Sequence, residues 1–204
     1  MKEQKANKFW DWFVANNKKY LFIGQVDRIE KENLVEEFIQ KLHDFNDNLF
    51  FEMGGHPEAE LVELIITAEG DKEFFGEVEY LVDKAPKIDN WEIIAFKPPM
   101  GIDFVTEYGG YKFDPKKTIF IPLHSEEEPT GVGIRVCYPE YNEEEKEIFI
   151  NGTYLMLDVI LGEKSVTLDI DYLNVIQTPE NIGDIDFMHL SEIEQFIDNK
   201  KNRT

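Results

Sequence analysis

The chain has 204 residues, 42 of them acidic against 21 basic, for a formal charge of −21. A surface this negative repels nucleic acid and anionic membranes and argues against direct binding to either. The charge is spread rather than tailed, with 12 basic against 21 acidic residues in 1–100 and 9 against 21 in 101–204, which suits plain solubility or attraction to a basic protein partner.

The apolar fraction of 42% is that of an ordinary globular core. The N-terminus reads Met-Lys-Glu-Gln-Lys without an apolar stretch of signal-peptide length, and no run approaches the roughly 20 apolar residues of a membrane span. The lone cysteine, Cys137, cannot close an internal disulfide, in keeping with a reducing compartment. A cytoplasmic protein is expected.

Residues 7–22 hold Phe9, Trp10, Trp12, Phe13, Tyr20, Leu21 and Phe22. Aromatics this dense require burial, so residues 1–22 are read as a helical segment docked on the core, or alternatively as a homodimer face. Asp27 and Glu30 make a capping box, and Leu34, Val35, Phe38, Ile39, Leu42 and Phe45 then recur at helical spacing to about residue 46. His43 beside that stripe is read as a partly buried helix residue. Leu49 to Met53 is a short strand, and Gly54-Gly55 turns it into a hairpin with the next one.

Leu61 to Ile66 is a nearly continuous apolar run, as expected of a central strand. Gly70 breaks it, Asp71 stands as an N-cap, and Phe74, Phe75, Val78, Leu81 and Val82 mark a helix over 71–84. Trp91 to Phe96 reads as a further strand ended by Pro98-Pro99. Strand, helix and strand with short connections predict a parallel crossover. Its turn, 67–71, has one glycine and two carboxylates, a composition that opposes a phosphate cradle.

Beyond it, strand-like residues flank Gly109-Gly110, and further strands are expected at Thr118–Leu123 and Gly131–Tyr138, favouring an antiparallel part of the sheet. Helical spacing returns over 142–161, where Gly152 in mid-helix points to a close backbone approach. Ser165 to Ile176 alternates apolar and polar residues and reads as a strand. Ser191 and Glu194 open a last short helix, with a frayed tail over 199–204.

The chemistry-bearing groups form no complete motif. His56, Glu58 and Glu60 lack metal-site spacing, and Asp169, Asp171, Asp184 and Asp186 lack the calcium-loop pattern, so they are read as solvated acids. Cys137 alternates inside an apolar strand as a small hydrophobe. No metal or other cofactor is implied, and the missing motifs point away from an enzyme.

The phrases ELIITAEG (63–70) and APKIDNWEIIAFKPP (85–99), with Leu161-Gly162-Glu163 closing a helix, resemble a family of bacterial cytosolic proteins without an assigned activity. The resemblance, over about 61–99 and 155–163, implies a bacterial cytosolic origin and a compact α+β domain, and no site residue follows from it.

The sequence therefore predicts an α+β fold: one domain over 1–204 with a mixed sheet, one β-α-β crossover and main helices near 28–46, 71–84 and 142–161. The expected function is a non-catalytic interaction module, inhibitor-like or immunity-like, for a basic protein. The alternatives are a homodimeric structural protein, and a small-molecule binder or enzyme whose pocket gathers His56, Glu58, Glu69 and Lys97 between the 54–60 loop, the 67–71 turn and the 97–100 exit.

Overall fold

The aromatic N-terminal stretch lies mostly in helix α1 (Lys2–Asn16), which buries Ala6, Phe9, Trp10 and Phe13 on one face. The computed structural model describes residues 1–54, 60–181, 183 and 185–201. The fold is α+β, and the chain divides into two units, Met1–Lys97 and Pro98–Thr204, each with its own hydrophobic core.

In the first unit, α2 (Arg28–His43) starts at the Asp27 carboxylate, which accepts from the Glu30 amide at 2.9 Å, and it buries Leu34, Phe38 and Leu42. It ends three residues before the expected position 46. Phe38 is the hub of this core. The rings of Phe9, Trp12, Phe13, Tyr20 and Phe51 all lie within 4.1–5.7 Å of it, so α1, α2 and the sheet share one aromatic cluster.

Strand β1 (Phe50–Gly54) pairs antiparallel with β2 (Val62–Thr67), and β2 pairs parallel with β3 (Trp91–Ala95), in the order β1-β2-β3. Between β2 and β3 runs α3 (Phe75–Asp83), so the expected crossover is present. Asp71 caps a 3-10 turn ahead of α3 by accepting from the Glu73 amide at 3.0 Å. Phe51, Met53, Leu64, Ile66 and Ile93 share the sheet face that meets the core.

The second unit opens with a hairpin of β4 (Thr106–Tyr108) and β5 (Tyr111–Phe113). Its two turn residues, Gly109 and Gly110, have φ of 58° and 87°, the left-handed conformation that a tight hairpin needs. Strands β6 (Ile119–Leu123), β7 (Gly133–Tyr138), β8 (Tyr172–Gln177) and β9 (Met188–His189) form a sheet in the order β8-β7-β6-β9. Here β6 is antiparallel to β7 and to β9, and β7 is parallel to β8.

A second crossover connects β7 to β8 through α4 (Lys146–Leu161) and α5 (Glu163–Asp169). The strand expected over Ser165–Ile176 is therefore wrong in its first half. Gly162, at φ 77°, breaks the backbone direction after α4. A new helix then starts, supported by a Ser165 Oγ hydrogen bond to Asp169 Oδ2 at 2.6 Å, and it buries Val166 while Leu168 faces solvent. The expected close approach at Gly152 is real: a Cβ there would lie 2.1 Å from the Phe113 ring. Helix α6 (Ile193–Lys201) extends into the tail expected to fray, with Lys200 buried and donating to the Pro129 carbonyl at 3.3 Å.

Candidate functional site

The ends of β2 and β3 bring together two of the four residues expected at a pocket. Glu69 and Phe96 follow those strands in left-handed backbone, φ 51° and 67°. That conformation is costly for a residue with a Cβ, and costlier for a bulky one. Phe96 is held in it by its amide, which donates to the Ile66 carbonyl at 2.9 Å, and by ring contact with Phe75 at 4.6 Å.

The two bends set Lys97 Nζ 2.9 Å from Glu69 Oε2 and 3.5 Å from Glu52 Oε1. The lysine is mostly covered, while both carboxylates are about half exposed. An ion pair so wetted contributes on the order of 0–1 kcal/mol. It joins the chain beyond β3 to the β2 turn and to β1. His56 and Glu58, the other two expected residues, lie outside the described residues.

A larger feature lies elsewhere in the same unit. A groove of about 1050 Å³ runs between α2, the segment 20–25 and β1. All five residues of β1 line it, as do Lys31, Val35 and Ile39, four residues apart on one face of α2. Residues of both sheet faces of β1 border the groove together, and Leu61 and Val62 at the start of β2 line it too, so it runs along β1 and reaches the inner strand. Glu69 and Lys97 do not line it.

The segment 20–25 is pinned to α2 through Glu37. Glu37 Oε2 accepts from Lys19 Nζ at 2.5 Å and from the Tyr20 hydroxyl at 3.3 Å. The Lys19 hydrogen bond holds the Glu37 carboxyl below its ordinary range, while burial, and then Glu37, push the Tyr20 hydroxyl up. Leu21 and Ile23 from this segment are partly buried, so the groove wall is largely apolar, with Lys31 and Glu52 as its charges.

Sequence reasoning missed this groove. The helical stripe through Val35 and Ile39 was legible, but it read as core, because the sequence does not say which strand ends a sheet. His43 is partly buried, as expected, and its Nε2 donates to the Leu49 carbonyl at 3.1 Å, tying the end of α2 to the start of β1.

The remaining constellations are structural. Asp171 and Asp186 are exposed, as expected of solvated acids, and Asp171 also accepts from the Val132 amide at 2.8 Å; Asp169 is instead partly buried and accepts from Ser165 and Lys201, and Asp184 lies outside the described residues. Cys137 is buried, as its strand position implies, and burial pushes its thiol up to about 11 against the smaller pull of Arg135. Among the described residues no group of three or more His, Cys, Asp or Glu side chains is placed to hold a metal ion, and no helix is long and apolar enough to cross a membrane. No family model, curated protein or solved structure matches the chain.

Proposed function

We propose that the protein is a non-catalytic, acidic interaction module, of the inhibitor or immunity type, that takes a segment of a basic partner protein into the groove of its first unit. The observation that carries this reading is the open, largely apolar groove beside β1 in a chain of charge −21. Apolar contact supplies affinity, and the field of a chain of net charge −21 selects and steers a basic partner. The buried thiol suits action in a reducing compartment such as the bacterial cytosol.

Selection of random displayed peptides against the full chain at low salt tests the reading. Enriched peptides should combine apolar residues with an excess of Lys and Arg, and should bind about tenfold more weakly near 0.3 M salt. Enrichment of neutral or acidic peptides, or of none, would reject it.

A second reading, a small-molecule binder, is favoured by the groove's volume, at the top of the usual range for ligand pockets, and by Lys31 as a polar anchor. Native mass spectrometry of the protein from its own host separates the two, since only this reading expects a retained small molecule.

A further inference from the structure

The hydrogen-bonding phase of the first sheet follows from two bonds. The Val62 amide donates to the Asn90 carbonyl, and the Phe96 amide to the Ile66 carbonyl, both at 2.9 Å. Amide and carbonyl of one strand residue point the same way and alternate along the chain. Residues 62, 64 and 66 therefore face β3, and Glu63, Ile65 and Thr67 face β1, where they pair with Gly54, Glu52 and Phe50. The backbone groups of Phe51 and Met53 are left pointing away from the sheet, along the groove. Among the described residues none bonds them there.

The second unit shows how the same edge looks when it is closed. Its strands β6-β7-β8 repeat the order and senses of β1-β2-β3. The Thr178 amide donates to the Tyr138 carbonyl at 3.1 Å, which by the same alternation sets Gly133, Arg135 and Cys137 toward β6. Thr118, Phe120 and Pro122 then face outward. The Leu190 amide bonds the Thr118 carbonyl at 2.8 Å, β9 pairs antiparallel with Phe120, and Pro122 has no amide hydrogen to offer. In the matched register Phe51 corresponds to Phe120 and Met53 to Pro122. The edge closed by β9 and a proline in the second unit is, among the described residues, open in the first.

We infer that the first unit binds its partner by strand addition: an extended segment of a basic protein pairs antiparallel with β1 through the backbones of Phe51 and Met53, as β9 pairs with β6. This deepens, and rests on, the interaction-module reading. Pairing fixes which side chains face where. Partner residues opposite Phe51 and Met53 point into the groove toward Val35 and Ile39 and are apolar. Those opposite Phe50, Glu52 and Gly54 point to the other face and are Lys or Arg. A second copy of this chain fits poorly, because it brings another charge of −21 and antiparallel self-pairing centred on β1 sets Glu52 against Glu52.

The test uses the full chain and a capped peptide alternating lysine and valine, with two backbone-methylated versions. Methylating the valine amides removes the donors that would face β1 and should weaken binding about tenfold or more, whereas methylating the lysine amides leaves those donors intact and should change it little. Met53→Pro, which copies the second unit's own device, should weaken binding comparably, and amide exchange at Phe51 and Met53 should slow when the peptide is bound. Binding insensitive to all three changes would overturn strand addition and leave a charge-driven partner standing. No binding of the parent peptide, with basic peptides still enriched by display, would also overturn it. A concentration-dependent dimer in sedimentation, lost in Met53→Pro, would assign the edge to a second copy instead.

Discussion

Two three-stranded arrangements of one topology sit in this chain, and they differ at the edge. In both, an antiparallel pair is followed by an Asx-capped 3-10 turn, helix (α3 in one, α4 and α5 in the other) and a parallel strand: Asp71 accepts from the Glu73 amide, Asn142 from the Glu145 amide. In both, the middle strand buries the matched residues, Leu64 and Ile66 in one, Ile134 and Val136 in the other. The second unit adds β9 and Pro122 to its outer strand, and the first sets a groove there. Such unpaired edges invite association unless they are blunted. The core face of this topology is a common requirement, whereas the edge is where the two units are specialised.

The largest expected effects probe whether the two cores are separate. Phe38→Ala removes the hub of the first core and should cost about 3–5 kcal/mol. All three tryptophans, Trp10, Trp12 and Trp91, lie in the first unit, so tryptophan fluorescence reports that unit alone. The variant should lower the fluorescence-detected unfolding midpoint while a far-ultraviolet signal persists from the second core. One coincident transition at the lower temperature would show that the cores unfold together.

Gly152→Ala is the reciprocal case. The added methyl collides with Phe113, itself buried, and overpacking of this kind costs about 1–3 kcal/mol. The expected result is an earlier loss of far-ultraviolet signal with the tryptophan transition unmoved.

A chemical probe follows from matched positions 67 and 137, where Thr67 and Cys137 are both buried. With the thiol raised to about 11, only about one molecule in a thousand carries the thiolate at pH 8. Disulfide-exchange reagents should label Cys137 slowly in the native protein and rapidly once urea unfolds the second unit. Fast native labelling would contradict its burial.

The smallest effect is electrostatic. Glu145 Oε2 accepts from the Tyr111 hydroxyl at 2.7 Å and also from Asn142, anchoring the β4–β5 hairpin, and the Tyr111 bond, then Asn142, holds its carboxyl below the ordinary 4.5. A carboxyl depressed in the folded state stabilises above its unfolded value, and that contribution fades as pH falls through the lower, folded value. Protection of the hairpin amides, measured against the intrinsic exchange rate at each pH, should therefore fall on acidification below about pH 4.5 in the native protein. In Glu145→Gln this acid-dependent step should be absent; if it persists, another group is responsible.

The elements whose evidence is local were legible. The Asp27 cap and the stripe through Leu34, Phe38 and Leu42 identify α2 unaided, and the apolar run, Asp71 cap and Pro98-Pro99 stop identify β2, α3 and β3, because propensity, capping and periodicity agree there. The segment Ser165–Asp169 was not legible. Five residues of alternation satisfy a strand and a short helix equally, and the bend at Gly162 decides for the helix. That misreading also hid the second crossover. Of the candidate site, Glu69 and Lys97 were placed correctly near each other by the strand ends that carry them, but the groove was invisible, since it is made by segments 20–25, 31–39 and 50–54, each of which reads as core by itself.

By itself the sequence determined the acidic surface, the α+β class and the local elements that caps and periodicity mark, because these depend on residues a few positions apart. Tertiary structure alone decided that β1 ends its sheet, that β6 is closed by β9 seventy residues further along, and that Phe51 and Met53 turn their backbones outward. Strand neighbours are chosen by long-range hydrogen bonding and burial, and backbone amides carry no side-chain signature of which way they point.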